Sequence, residues 1–318
     1  MGTVPFLCNP TLALHRDASF LFFVETKHAL VFAQLGQESV IRPCSSHSSA
    51  YLDKNHGGLP SIEHRGGSGV PNNSSKWELY RFFNESEVIR PYLPPTRIFS
   101  YSALNEFLSS YGSTYIKPDK EHTGKGIIKV WKNKKKYRFK KETGKERQCS
   151  TIDHLYRKLT RMTHNKLHII QKTIPMARIK KRRFDIRVMM MRDIYEDWNY
   201  VGMIAKVAGP GSIINNVRRG GGYVKKADVA LLKCFPNTQV EKMISEMIDL
   251  CYRICNYFNG FKKSWQIGID LSIDRRGKIH LIEINYEEPS HHLFRRLKDK
   301  TMYNRIRRMA KRYKKGKR

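Results

Sequence analysis

The chain lacks the patterns that would place it in several common classes. Its six cysteines, Cys8, Cys44, Cys149, Cys234, Cys251 and Cys255, include no CxxC pair and no histidine spacing that would build a zinc site. Cys251 and Cys255 stand four apart in an apolar helical stretch, so buried core thiols in a reducing compartment are expected. Long apolar runs are missing too. The run around Phe20 to Val24 is too short to span a bilayer and lacks the basic start and small-residue cleavage site of a signal peptide, so a soluble protein made in the cytoplasm is expected. No Walker A loop occurs, because Gly124-Lys125-Gly126 runs into a strand-like segment instead of opening a helix. Acidic residues are scarce: 28 Asp and Glu face 60 Lys and Arg, for a net charge of +32 and a pI near 10.0. That imbalance points to polyanions, anionic surfaces or acidic substrates, or to no more than a solvated basic surface. With no RRM, zinc-finger or helix-turn-helix signature, nucleic acid is not expected as the primary partner.

What is present is enough for real cores, with 40% hydrophobic residues in 318. Residues 1 to about 75 show little apolar periodicity and end in a Ser-, Gly- and Asn-rich stretch, which reads as a small or incomplete N-terminal unit and a flexible linker. From Lys76 onward an α+β domain is expected over residues 76–318, with a first subdomain near 96–170 and a second over 171–318. Helices are expected over Lys76–Phe83, capped by Ser74 or Ser75, over Ser102–Tyr111, Thr151–Lys166 and Asn237–Tyr257, and as one basic helix over Phe294–Lys315. Strands are expected at Tyr115–Pro118, after Gly126, at His168–Gln171, Phe184–Met191 and Tyr200–Val207.

The strongest local signal is GIDLSIDRRGKIHLIEIN, Gly268 to Asn285, where two alternating runs flank the turn Asp274-Arg275-Arg276-Gly277. On this hairpin Asp270 lies on one strand, and Glu283 and Asn285 share a face of the other. Two carboxylates and an amide oxygen form a hard oxygen set suited to Mg²⁺; solvated strand-end carboxylates are the plainer alternative. Around Gly124, Lys125 and Gly126, a glycine-bearing loop between strands can bring backbone N–H groups to phosphate or can be a simple turn. Lys117 on the preceding strand would add a cation. The QKTIP segment, Gln171 to Pro175, can offer backbone groups to an adenine edge or serve only as a connection. Asp185 and Arg187, two apart on an apolar strand, read as a buried ion pair or as site residues. Asn216 with Arg218 and Arg219 would suit phosphate handling.

In order along the chain, YIKPDKEHTGKGIIKV, QKTIP, RRFDIRVMM, SIINNVRRGGG and GIDLSID...LIEIN resemble the signature of the ATP-grasp ligases, and within that fold the YheC/YheD endospore coat-associated family. The resemblance covers residues 76–318. It implies two α+β subdomains with ATP between them, Mg²⁺ as cofactor, and ATP-dependent joining of a carboxylate to an amine. It also implies roles: Lys76 and Lys117 on the nucleotide phosphates, Gly124 to Gly126 over them, Gln171, Lys172 and Ile174 at the adenine, Asp185 on the ribose. Arg187 and Asn216 would face the transferring phosphoryl group, and Asp270, Glu283 and Asn285 would hold Mg²⁺. Coat components become expected partners, with a spore-coat location, and an acidic polymer or anionic coat surface becomes a target for the charge. A nucleotide-binding coat protein without turnover is the alternative. One departure stands out: the family's N-x-x-P-G turn is here Asn285-Tyr286-Glu287-Glu288-Pro289-Ser290, one residue longer and without the glycine.

Overall fold

A computed structural model describes residues 75–121, 124–217, 220–287 and 289–316. Helix α1, Lys76–Glu85, starts at Ser75, whose hydroxyl accepts the N–H of Glu78 at 3.1 Å. A 3₁₀ turn at Arg90–Tyr92 leads to β1, Thr96–Ile98, then to α2, Tyr101–Tyr111, capped by Ser100 and ended by Gly112 at φ +67°. Next come β2 (Ser113–Pro118), β3 (Ile128–Asn133), β4 (Lys136–Lys141), β5 (Arg147–Cys149), α3 (Ile152–Thr163) and β6 (His168–Lys172). Strands β1 to β6 form one antiparallel sheet in the order β1-β6-β2-β3-β4-β5. Alternation sends Ile116, Val130, Phe139 and Ile170 to one face, where Leu104 and Phe107 of α2 and Leu155 and Leu159 of α3 cover them. Tyr115, Lys117 and Lys129 are left on the other face.

The second sheet is built from β7 (Arg178–Ile179), β8 (Arg182–Arg192), β9 (Trp198–Val207), β10 (Tyr223–Lys226), β11 (Gln266–Ile273) and β12 (Ile279–Asn285), ordered β10-β9-β8-β11-β12 with β7 beside β8. Helix α4 is Ala227–Leu231, and α5, Asn237–Phe258, buries Val240, Met243, Met247, Leu250 and Ile254 against Phe184, Ile186, Val188 and Met190. Each such side chain contributes roughly 1.5–3 kcal/mol by leaving water. Cys251 and Cys255 lie fully buried in this core, as their spacing predicts.

On the opposite face of β8, Met189 and Met191 pack with Phe294, Leu297 and Ile306. These belong to the C-terminal segment, which holds two helices, α6 (His292–Arg295) and α7 (Thr301–Gly316), where the sequence predicts one. The break has a local cause. Asp299 accepts the N–H and hydroxyl of Thr301 at 2.9 and 2.6 Å, starting a new helix, while Leu297 stays buried outside either one. Strands β1, β5 and β10 also escape the sequence reading. They are three- and four-residue edge strands, too short for an alternation to register.

Candidate functional site

The two sheets face each other across a cleft of about 880 Å³. From α1 comes Lys76. Its helix is tied to the end of β2 by Asp119, which accepts the Ser75 hydroxyl at 3.0 Å and the Trp77 N–H at 2.8 Å. The Lys76 ammonium then reaches the carbonyls of Asp119 and Glu121 and lies 3.9 Å from Glu283. From β2 comes Lys117, which donates to Gln171 Oε1 at 2.6 Å; Gln171 in turn donates to Thr96 Oγ1 at 2.9 Å. Burial pushes Lys117 down to about 8, with Lys76 adding to the shift against the pull of Glu283.

Strand alternation on β8 aims Arg183, Asp185 and Arg187 into the cleft, and Lys206 on β9 joins them. Asp270 of β11 stands opposite Arg187 in register. The guanidinium grips it in two bonds, Nε at 2.5 Å and Nη2 at 2.9 Å, and Lys206 adds a contact at 2.9 Å. Burial alone would raise the Asp270 carboxyl, but these two cations outweigh it and hold the group well below the usual range. Asp185 pairs with Lys206 at 3.3 Å and is still pushed up to about 6 by burial, with Asp270 adding to the rise. Asp185 and Arg187 therefore do not pair with each other. Same-strand neighbours two apart are farther from one another than cross-strand partners, and each finds its counter-charge on an adjacent strand.

The hairpin places Glu283 directly opposite Asp270 and Asn285 opposite Gly268. A register shift after Asp270 leaves Ile282 as the extra residue of a bulge, and Ile282 lines the cleft. Glu283 and Asn285 supply hard oxygen donors that fit Mg²⁺ by chemistry, while both Asp270 oxygens are already held by Arg187 and Lys206. Among the described residues no cluster of three His, Cys, Asp or Glu side chains is arranged for a metal.

Lys76, Lys117, Gly124, Gln171, Lys172, Ile174, Asp185, Arg187, Asn216, Asp270, Glu283 and Asn285 all line this one cleft. Lys125 and Gly126 do not. Lys125 is exposed to solvent, and Gly126 gives its N–H to Glu142 at 2.8 Å. The Lys172 N–H is bonded to the Pro95 carbonyl at 2.9 Å, and its ammonium sits over the Tyr111 ring. Arg218 and Arg219 lie outside the described residues.

Several cleft residues carry little signal in the sequence. Arg183 precedes Asp185 by two and so shares its face, a signal that alternation carries. Lys206 had no such cue, because an isolated lysine in an apolar strand reads as an edge residue. Tyr115 donates to the Ile213 carbonyl at 3.0 Å, and Arg183 donates to Ser212 O at 2.5 Å, which ties the Ile213–Val217 wall of the cleft to both sheets. That wall turns back tightly: a Cβ on Gly209 would fall 1.6 Å from the Gly220 carbonyl oxygen, so only glycine fits there. In all, eight basic and five acidic side chains line the cleft, which leaves it positive.

This geometry can be set beside known proteins. The chain is 22% identical over 223 residues to the endospore coat-associated protein YheC of Bacillus subtilis (strain 168), covering 69% of this chain and 60% of that protein. It is 22% identical over 217 residues to YheD of the same organism, covering 66% of this chain and 47% of that protein. The chain thus spans between about half and three-fifths of the length of these curated relatives. A solved biotin carboxylase complex from Campylobacter jejuni overlays with a TM-score of 0.48 at 13% identity, covering 76% of this chain and 46% of that one, a likeness too low to carry an argument by itself. A family model described as YheC/D like ATP-grasp matches residues 70–315, and on that match the chain belongs to the YheC/D-like ATP-grasp family.

Proposed function

We propose that the chain binds Mg-ATP in this cleft and acts as an ATP-dependent carboxylate-amine ligase, with residues 76–318 as its ATP-grasp domain and subdomains near 96–170 and 171–318. The observation that carries the reading is the convergence of Lys76, Lys117, Arg187 and Lys206 on one cleft opposite Glu283 and Asn285. Bound Mg²⁺ would be held by Glu283 and Asn285, with Asp270 joining where Arg187 or Lys206 gives up one of its oxygens, and would offset phosphate charge and polarise the γ-phosphoryl group. Lys76 and Lys117 bind the phosphates, and Gly124 sits over them. Ile174 gives the adenine an apolar wall beside Gln171 and Lys172, and Asp185 accepts from the ribose.

In the reaction a substrate carboxylate oxygen attacks the γ-phosphorus, and the bond to ADP breaks with its electrons leaving on ADP. The amine then attacks the acyl carbon, inorganic phosphate departs, and the amine proton passes to solvent. No protein nucleophile is required. Lys117, Arg187 and Asn216 stabilise the charge of the group in flight. The relatives' names suggest a further element: as YheC and YheD are called endospore coat-associated, we propose coat components as partners.

A second reading, a nucleotide-binding coat protein without turnover, is favoured by one observation: Arg187 and Lys206 occupy both oxygens of Asp270. An ADP-release assay with Mg-ATP against pooled carboxylates and amines, with mass spectrometry of products, separates the two. A ligase gives ADP and a condensed product only when both pools are present. Binding of ATP with no ADP formed under any pool selects the second reading.

A pH dependence follows from Lys117. With its ammonium titrating near 8, it is charged at pH 7 and about nine-tenths neutral at pH 9. ATP affinity is therefore expected to fall by up to about tenfold between pH 7 and 9 through this one group. Stability runs the other way: the cost of burying a charged lysine is present below about 8 and relieved as pH rises toward the unfolded value. Calorimetric titrations across this range check the sign; affinity that stays flat until pH 10 would assign Lys117 no phosphate contact.

A further inference from the structure

Past the open end of the β11–β12 hairpin, the cleft continues to Lys262, Lys263 and Trp265. Lys262 is matched by Glu287 at 3.4 Å, whereas Lys263 is exposed. Trp265 connects this end of the cleft to α7. Its ring stacks on Tyr313 at 5.2 Å with an interplanar angle of 11°, and the Lys314 ammonium lies 5.8 Å from its ring centre. The last turn of α7 therefore abuts the cleft mouth.

The outward half of α7 is basic along its whole length. Arg307, Lys311 and Lys314 follow one another at helical spacing and end over Trp265, and a second row of Arg305, Arg308, Arg312 and Lys315 runs beside them. All seven are exposed, the helix contains no acidic residue, and none of the seven forms an ion pair among the described residues. Like charges at this spacing repel, so the arrangement weakens the helix unless something anionic lies on it. The inner face is seated through Ile306 with Met302, Met309 and Ala310, while Arg307 and Lys314 also lie over the Tyr303 and Trp265 rings at 5.9 and 5.8 Å.

Resting on the ligase reading above, we propose that the carboxylate substrate is an acidic polypeptide that lies along the basic face of α7 and enters the cleft past Trp265. Sixteen residues of helix span about 24 Å, which matches about seven residues of an extended chain. Charge alone would accept a nucleic acid as well. The reaction does not: a polycarboxylate carries its docking charges and a reactive carboxylate in one molecule, and a phosphodiester strand has no carboxylate to activate. Docking outside the cleft also raises the local concentration of that carboxylate at the phosphoryl group.

The test is fluorescence anisotropy with fluorescein-labelled decaglutamate and a labelled ten-nucleotide single strand of DNA. The full chain is compared with a Lys311→Glu/Lys314→Glu variant carrying Arg307→Glu as well, and with an Arg305→Glu/Arg308→Glu/Arg312→Glu variant that reports general charge loss. Decaglutamate is expected to bind the natural chain in a salt-dependent way, at least tenfold more weakly to the first variant, and with a smaller loss in the second. Binding within twofold of the natural chain in the first variant would overturn the proposal. So would DNA that binds more tightly than decaglutamate and is lost in the same variant, since that assigns the surface to polyphosphate. Mg-ATP binding by the natural chain is measured separately by calorimetry. Its absence would remove the nucleotide reading, while the anisotropy would still report whether α7 holds the peptide.

Discussion

Lys117→Ala is expected to lower ligase turnover by on the order of a hundredfold or more, the usual cost of deleting a charge-stabilising donor aimed at a reacting phosphoryl group. The same change should weaken Mg-ATP binding, because Lys117 stands in the cleft wall with its ammonium held by Gln171 at 2.6 Å and, among the described residues, no carboxylate forms an ion pair with it. Glu283→Gln keeps the shape of the side chain and removes its charge. It should leave the fold intact, raise the Mg²⁺ concentration needed for half-maximal ATP binding, and free Lys76 from its 3.9 Å neighbour. Isothermal titration at several Mg²⁺ concentrations reads both effects. Unchanged ATP affinity and turnover in both variants would show that the cleft is not where the nucleotide sits.

The second large effect concerns stability. Asp270 is 3% exposed and forms ion pairs with both Arg187 and Lys206. Asp270→Ala leaves two buried cations facing each other without it, with only Asp185 to share, and should cost about 3–5 kcal/mol. For a domain of this size that corresponds to a fall in melting temperature of roughly 6–20 °C. Asp270→Asn retains the shape and one acceptor, so its loss should be smaller. The pH sign is fixed by the depressed carboxyl: this stability is present above the unfolded value near 4 and is lost as pH falls through the lower folded one. Thermal melts of the two variants at pH 7 and near pH 3 check the account. If Asp270→Ala melted like the natural chain, the Arg187–Asp270–Lys206 group would be no more than a surface-like contact.

Much of this architecture is legible in the sequence because its longest elements are strongly periodic. The hairpin around Asp270 and Glu283, strand β8 and helix α5 each carry enough apolar residues at spacing 2 or 3.6 to declare themselves. The cap of α1 is local chemistry that the sequence narrows to Ser74 or Ser75, and the structure uses Ser75; the Ser100 cap of α2 is not read from the sequence, which starts that helix at Ser102. What stays hidden is non-local. Nothing in the sequence near Asp270 says that Arg187 and Lys206 will meet it, since strands β8, β9 and β11 are brought together only by the sheet order. The bulge at Ile282 costs one residue of register and leaves no compositional trace. The split between α6 and α7 depends on whether Asp299 turns back to cap Thr301, a choice that a continuous basic amphipathic pattern conceals. Lys125 sits in a glycine-bearing motif yet points to solvent, because the pattern fixes the loop's backbone and not the direction of its side chain.

The most direct measurement is Mg-ATP binding to the full chain by isothermal titration calorimetry at pH 7. Saturable, magnesium-dependent binding at one site per chain, abolished or much weakened by Lys117→Ala, is the predicted result. A flat titration with the natural protein, or binding of equal strength after Lys117→Ala, would contradict it.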